Sequence, residues 1–341
     1  MVKGKILFRQ FLLPVFIFSS LSCVFAQQQR FSFSSTKMGS PFNIIFYATD
    51  SATAKTLADQ SFRLVDSFVL IFSDYIDSSE LNRLCASAGR SEKATVVSPA
   101  LFDILRESKL GFEKSKGTFD ISLGPITRLW RMARKQNIFP ADSIVQMKLT
   151  LTGFQKVHLD SVHHSVYFDQ AGMQLDLGGI GQGYIAQRVI DFLRSKGIAT
   201  ALVDVSGDIA AIGAPPGTHG WTIGINVPEQ PDELLKKFIL VHDAAVTTSG
   251  DAYQFMIHDG KRYSHIIDPK TGYGLVVQKN VTVIASDGTS ADWLTKACSI
   301  LPIREAKELA RSMGAEVLVA YNKGGKVKLY SSRGFKDFWK K

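Results

Sequence analysis

Apolar residues recur near a helical period across residues 52–75, where Leu57, Phe62, Leu64, Val65, Phe68 and Val69 share one side, so the pattern predicts a helix there. A strand is predicted before it, over residues 42–47. Pro99 stands in the favoured first-turn position of a second helix running through residue 115. Residues 140–156, punctuated by Pro140 and Gly153, read as a connection. From Val157 onward short β-type runs dominate, at 202–205, 209–212, 221–226, 238–241, 245–248, 281–285 and 317–321. Helical patterns interrupt them only after Gly183 and over 290–300 and 304–313. Strands spaced this closely leave no room for helical crossovers. The expected fold class is therefore α+β with largely antiparallel or mixed sheets and packed helices, one unit with two lobes.

The N-terminus changes the picture of where the chain works. Lys3, Lys5 and Arg9 precede an apolar run from Phe11 to Leu21, and Val24-Phe25-Ala26 offers small residues before Gln27. That is the layout of a cleaved signal peptide over residues 1–26, and the run is too short for a spanning helix. The mature chain, 27–341, is then exported, with the periplasm as the expected compartment. Cys23 raises lipid anchoring as a second outcome, although Ser20 stands where a lipobox has Leu. The formal charge of +9 loses three basic residues with that segment, and no basic stripe with interleaved aromatics remains, which argues against nucleic acid. Cys85 and Cys298 lie far apart in apolar helical contexts and read as buried free thiols. His158, His163 and His164 surround a hairpin-like segment and read as exposed strand ends, and no cluster has zinc spacing.

Residues 174–196, QLDLGGIGQGYIAQRVIDFLRSK, hold the densest chemistry. A short apolar run carrying Asp176 enters a loop with Gly178, Gly179, Gly181 and Gly183, and an amphipathic helix follows. Glycines between a strand and a helix let backbone N–H groups approach a ligand, and the helix N-terminus adds partial positive charge, which favours a phosphate. A Rossmann fingerprint fails, because after Gly179 and Gly181 the third glycine falls on Tyr184. A tight strand–helix turn with no ligand stays open at this point.

Four further segments add acids and hydroxyls. Gly117-Thr118-Phe119-Asp120 leads into Ile121-Ser122-Leu123-Gly124-Pro125, read as a helix end turning into a loop. Ser249-Gly250-Asp251 follows a strand, and Tyr263-Ser264-His265-Ile266-Ile267-Asp268-Pro269 joins a strand to a turn. Asp292 opens a helix, where it is either an acid favourable to the dipole or a hard oxygen ligand for Mg²⁺. A serine hydrolase fails on spacing, since neither Val205-Ser206-Gly207 nor Thr248-Ser249-Gly250 forms a G-x-S-x-G elbow.

In order along the chain, Met38-Gly39-Ser40, SSELNRL, GTFDISLGP, LDLGGIGQGY, VSGDIAAIG, TTSGDAYQF, YSHIIDPKTG and ADWLTKA closely resemble the ApbE family, the bacterial FAD:protein FMN transferases. The resemblance implies a two-lobed α+β fold with FAD in a cleft. It also implies transfer of the FMN half of FAD to a threonine hydroxyl of an acceptor protein, a membrane redox subunit carrying a flavinylation motif, with release of AMP. By position, Met38, Tyr75, Thr118, Phe119, Asp120, Asp176, Gln182 and His265 would line the FAD site, with Tyr75 and Phe119 as stacking surface. Asp292 and His265 would serve catalysis. Mg²⁺ would take the Gly179 carbonyl, the Asp292 carboxylate and an oxygen from the first turn of that helix.

Two departures from that pattern matter. Gln182 stands where the family usually has Lys, and Lys296 stands where it has a metal-binding Thr, four residues after Asp292. A protonated Lys cannot ligate a metal, and its ammonium can itself take the cation's place. Thr295 is next door, about 100° around the helix. Three states stay open: an Mg²⁺ enzyme with shifted ligands and Lys296 turned outward, an enzyme using the Lys296 ammonium, or a relative that binds or hydrolyses FAD without protein transfer.

Overall fold

An eight-stranded antiparallel sheet forms the spine of the protein, for which a computed structural model describes residues 28–89, 94–227, 230–250, 254–277, 279–323 and 326–340. In chain order the first half holds β1 (Gln29–Lys37), β2 (Ser40–Ala48), α1 (Ser51–Phe72), α2 (Glu80–Ala86), β3 (Thr95–Val96), α3 (Pro99–Lys114), α4 (Gly124–Gln136) and α5 (Asp142–Leu149). Next come β4 (Val157–Asp160), β5 (Ser165–Phe168), α6 (Gly181–Ser195), β6 (Ala201–Val205), β7 (Asp208–Ile212), β8 (Trp221–Val227) and β9 (Gln230–Val241). The chain ends with β10 (Ala244–Ser249), β11 (Phe255–His258), β12 (Lys261–Ser264), β13 (Lys279–Ala285), α7 (Gly288–Ile300), α8 (Ile303–Ser312), β14 (Glu316–Lys323) and β15 (Lys326–Ser331). The proposed signal segment, 1–26, lies outside the described residues.

The large sheet runs β1-β2-β6-β7-β10-β13-β14-β15, every neighbour antiparallel. Strand alternation sorts its two faces. Ala201, Val203 and Val205 of β6 point into the main core with Val281, Val283, Val317 and Val319, under α1, α6 and α7. Leu202, Ala211, Val246, Ile284 and Leu318 point the other way, against Trp221, Ile223 and Ile239 of the β8–β9 hairpin and Phe335 near the C-terminus. A separate cluster gathers Trp130 of α4, Val145 of α5, Met256 of β11 and Ile267, with Trp130 Nε1 donating to Gly272 O at 2.7 Å. This third cluster carries the segment around His265.

Helix starts follow capping chemistry. Asp50 accepts from the Thr53 amide at 2.8 Å, Ser98 from Leu101 with Pro99 behind it, and Asp287 from Ser290 at 2.9 Å. Three sequence expectations change. Residues 140–156 contain α5, whose one buried side chain, Val145, gives too little periodicity to read. The segment after Leu123 is not loop but α4, which starts with Gly124-Pro125 and ends on Asn137 in the left-handed conformation. The run before the glycine loop forms no strand, only a parallel bridge between Leu123 and Gln174. Cys85 and Cys298 are buried free thiols, and His158, His163 and His164 are exposed, as read.

Candidate functional site

The glycine loop and α7 meet because two glycines face each other. A Cβ on Gly183 would lie 2.1 Å from Gly288 O and 2.6 Å from Asp292 Cβ, and one on Gly288 would lie 2.4 Å from Gly183 O. Only bare backbone allows α6 and α7 to cross this closely. The crossing buries Asp292 completely and lets the Gly183 amide donate to its Oδ2 at 3.0 Å.

The loop is also held from the other side. The Asp176 amide donates to Ile121 O at 2.7 Å, which ties the loop to the segment carrying Thr118, Phe119 and Asp120. Within the loop, Gly178 donates to Asp176 Oδ1 (2.8 Å), and Ile180 and Gly181 both donate to Leu177 O. Together with Gly183, four loop amides are therefore spent inside the protein. The backbone cradle for a phosphate is narrower than four glycines suggest.

Side-chain charge compensates. The Lys296 stem crosses Gly179, where a Cβ would meet Lys296 Cγ at 3.2 Å and Phe119 Cε2 at 3.3 Å. Its Nζ stands 3.3 Å from Asp292 Oδ1, an ion pair rather than an aligned hydrogen bond, with 21 % of the side chain still exposed. Lys296 therefore does not turn outward. Burial works against its ammonium, but the charges of Asp292 and then Asp208 outweigh burial and raise its pKa. Asp208, buried at the start of β7, has its pKa pushed well up by burial and by the Asp292 charge, partly offset by Lys296.

These donors do not suit a divalent ion. Thr295 is buried with its hydroxyl donating to Ala291 O at 2.5 Å and bonded to Thr247 of β10, so it faces the sheet. Asp292 has one oxygen on the Gly183 amide and the other on the ammonium. A dication beside it would face the Lys296 charge within a few ångströms; at 4 Å even two unit charges repel by about 4 kcal/mol near a protein surface. Among the described residues no group of three or more His, Cys, Asp or Glu gathers as a metal site.

A second group forms on the other flank of the loop. Tyr75 is 72 % exposed and carries the Arg131 guanidinium 3.9 Å from its ring centre. Arg131 of α4 pairs with Asp74 at 2.8 Å and reaches Asp176 Oδ2 at 3.5 Å. Burial, then the Asp176 charge, raises the Asp74 pKa, against the pull of Arg131.

The remaining expected residues divide. Phe119 is buried against Trp293, with ring centres 6.0 Å apart, so its edge rather than an open face meets the loop at Gly179. Asp120 accepts from the Ser122 and Phe154 amides at 2.7 and 3.2 Å, and burial raises its pKa. Thr118 is buried, and Gln182 lies half-buried in the first turn of α6. Met38 occupies the β1–β2 turn at φ 53°, against the main core. His265 is half-buried after β12, its amide donating to Gln254 O at 2.9 Å. The structure thus joins Gly179, Phe119, Asp292 and Lys296 in one group, and Tyr75 and Asp176 through Arg131 in another. Arg131 and Asp208 escaped the sequence reading; the signal for Asp208 was an acid opening the apolar run DIAAI.

The model of the ApbE family matches residues 38–319. The chain belongs to the ApbE family. An FAD:protein FMN transferase of Klebsiella pneumoniae (strain 342) is 32% identical over 285 residues, covering 81% of this chain and 86% of that one. The enzyme of that name from Treponema pallidum (strain Nichols) is 31% identical over 292 residues, 81% of this chain and 80% of its own. Among solved structures, the flavin transferase ApbE of Vibrio cholerae superposes with a TM-score of 0.82 at 27% identity, covering 92% of this chain and all of that one (100%). The ApbE protein of Thermotoga maritima gives 0.82 at 26% identity, with 92% and 100% covered. Family membership and the α+β architecture thus agree.

Proposed function

We propose that this chain is an FAD:protein FMN transferase that moves the FMN half of FAD onto a threonine hydroxyl of an acceptor protein and releases AMP. The observation that carries the reading is the junction of the glycine loop with buried Asp292 and Lys296, in a chain whose ApbE match spans residues 38–319. In the reaction the threonine oxygen bonds to the FMN phosphorus, the bond from that phosphorus to the bridging oxygen breaks, and AMP leaves with it. The chemistry asks the protein to position both partners and to neutralise phosphate charge.

The chain's residues divide that work. Tyr75, stacked under Arg131, presents an open face to a flat ring, and Asp176 fixes both Arg131 and Gly178. Met38, Thr118, Phe119, Asp120 and Gln182 are assigned to the same flavin site by family position. His265 is the residue assigned to accept the threonine proton, and Asp292 holds the phosphate-side charge in place. Mg²⁺ is left out of this proposal, because the open oxygen of Asp292 is already paired with Lys296.

The acceptor is taken to be a membrane redox subunit with a threonine flavinylation motif, and the protein is taken to meet it in the periplasm after loss of residues 1–26. The basic, apolar and small-residue order of that segment supports export, with Cys23 as the alternative lipid attachment. Mass spectrometry of the secreted N-terminus separates Gln27 from a lipidated Cys23. Among the described residues no helix is long and apolar enough to cross a membrane.

Lys296, standing where the family pattern has a hydroxyl, favours one second reading: a relative that hydrolyses FAD to FMN and AMP, or only holds it. Incubation of mature protein with FAD and an acceptor domain carrying the threonine motif separates these. Covalent flavin fluorescence on the acceptor with stoichiometric AMP supports transfer; AMP with free FMN supports hydrolysis.

A further inference from the structure

The carboxylate of Asp292, completely buried on α7, stands 3.3 Å from the ammonium of Lys296. The Lys296 stem lies across Gly179, so the cation reaches this acid over the floor of the glycine loop. We propose that the Lys296 ammonium, paired with Asp292 over the floor of the glycine loop, is the resident cation of the phosphate site, in the place of the divalent ion that family membership implies. The inference rests on the proposed FAD site and goes beyond it, because it makes pyrophosphate binding by this chain independent of a metal.

Three observations hold it together. Removing the ammonium would strand the buried Asp292 carboxylate, and breaking a buried pair from one side is strongly unfavourable. Four loop amides are engaged within the protein, so the site needs a positive side chain to meet a pyrophosphate. An ammonium has three donors, and the single pairing with Asp292 leaves donors for phosphate oxygens. Lysine binds phosphate as a point charge, with no demand for planar geometry.

The test is FAD binding, followed by flavin fluorescence and by thermal shift, in excess EDTA and in excess Mg²⁺. Wild type should bind FAD equally well in both. Lys296→Met should lose about tenfold or more in affinity in EDTA, a loss of one charge-assisted contact. Lys296→Thr should bind weakly in EDTA and recover in Mg²⁺, with a Mg²⁺-dependent rise in melting temperature that wild type lacks. This second variant keeps the test decisive should Lys296→Met fold poorly. A fall of about tenfold or more in wild-type affinity on adding EDTA overturns the inference, as does Lys296→Met binding at wild-type strength. The acceptor assay separates the two readings: metal-independent FAD binding without flavinylation sinks the transferase proposal and leaves this inference standing. Flavinylation with FAD affinity that collapses in EDTA does the reverse.

Discussion

The Gly183 amide donates to Asp292 Oδ2 at 3.0 Å across a sequence separation of 109 residues, at a crossing too tight for any side chain at position 183. One residue thus sets both the distance between α6 and α7 and one of the two partners of the buried carboxylate. Gly183→Ala forces the helices apart, since its Cβ would meet Gly288 O at 2.1 Å. Overpacking of this kind costs about 1–3 kcal/mol or somewhat more. Denaturant unfolding should show that loss, together with loss of AMP release. A variant with unchanged stability and unchanged turnover would show that the crossing is looser than the geometry demands.

Asp292→Asn separates shape from charge. The amide oxygen can still accept from Gly183, while the negative charge opposite Lys296 is gone. The ammonium loses the partner that fixes it over the loop, although Asp208 keeps some hold on it. We expect FAD binding largely retained and AMP release reduced on the order of 100-fold, equivalent to roughly 3 kcal/mol of transition-state stabilisation. Full turnover in this variant would remove the charge of Asp292 from the mechanism.

Arg131 and Tyr75 form a coupled pair. The guanidinium lies 3.9 Å from the ring centre while bonding Asp74 and reaching Asp176. Exposed cation–π contacts contribute about 0.5–1 kcal/mol. Tyr75→Ala and Arg131→Ala should each weaken FAD binding, and the double variant should lose less than the sum of the two. Strict additivity in that cycle would mean that the two residues meet FAD independently.

What was legible in the sequence was local. Dense glycines before an amphipathic helix and closely spaced β-runs could be read from order and period alone, and the structure bears out the α+β sheet built from those runs. Asp292, read as opening its helix, lies instead inside α7 behind the Asp287 cap. What stayed hidden depends on tertiary placement. Helix α4 buries Ile126, Trp130 and Ala133, but four basic residues and a Gly-Pro start break its pattern, so Arg131 went unnoticed. Asp208 looks like a turn residue until the hairpin carries it towards α7, where Asp292 and Lys296 change its titration. The direction of Lys296 was equally unreadable: a flexible side chain on a helix turns inward only if a partner and a bare surface await it, and the bare surface, Gly179, lies far earlier in the chain.

Outside the site, Lys279 offers a pH test of the fold itself. Its Nζ donates to Leu301 O at 2.9 Å and Cys298 O at 3.4 Å, holding the carbonyl end of α7, with no carboxylate to match its charge in that bonding. Burial lowers its pKa from 10.5 to about 8. The unfolded chain keeps the ordinary value, so between about pH 8 and 10.5 the unfolded state binds the extra proton and stability from this group rises with pH. Below about pH 8 both states are protonated and the fold carries the full penalty of a buried charge. Lys279→Met removes the titration. The stability of wild type relative to Lys279→Met should therefore climb by about 1–3 kcal/mol across that window, after allowance for partial solvent access. Urea unfolding of both proteins at a series of pH values measures it. A difference that stays flat, or that falls as pH rises, would mean that the ammonium at position 279 is solvated rather than buried at the end of α7.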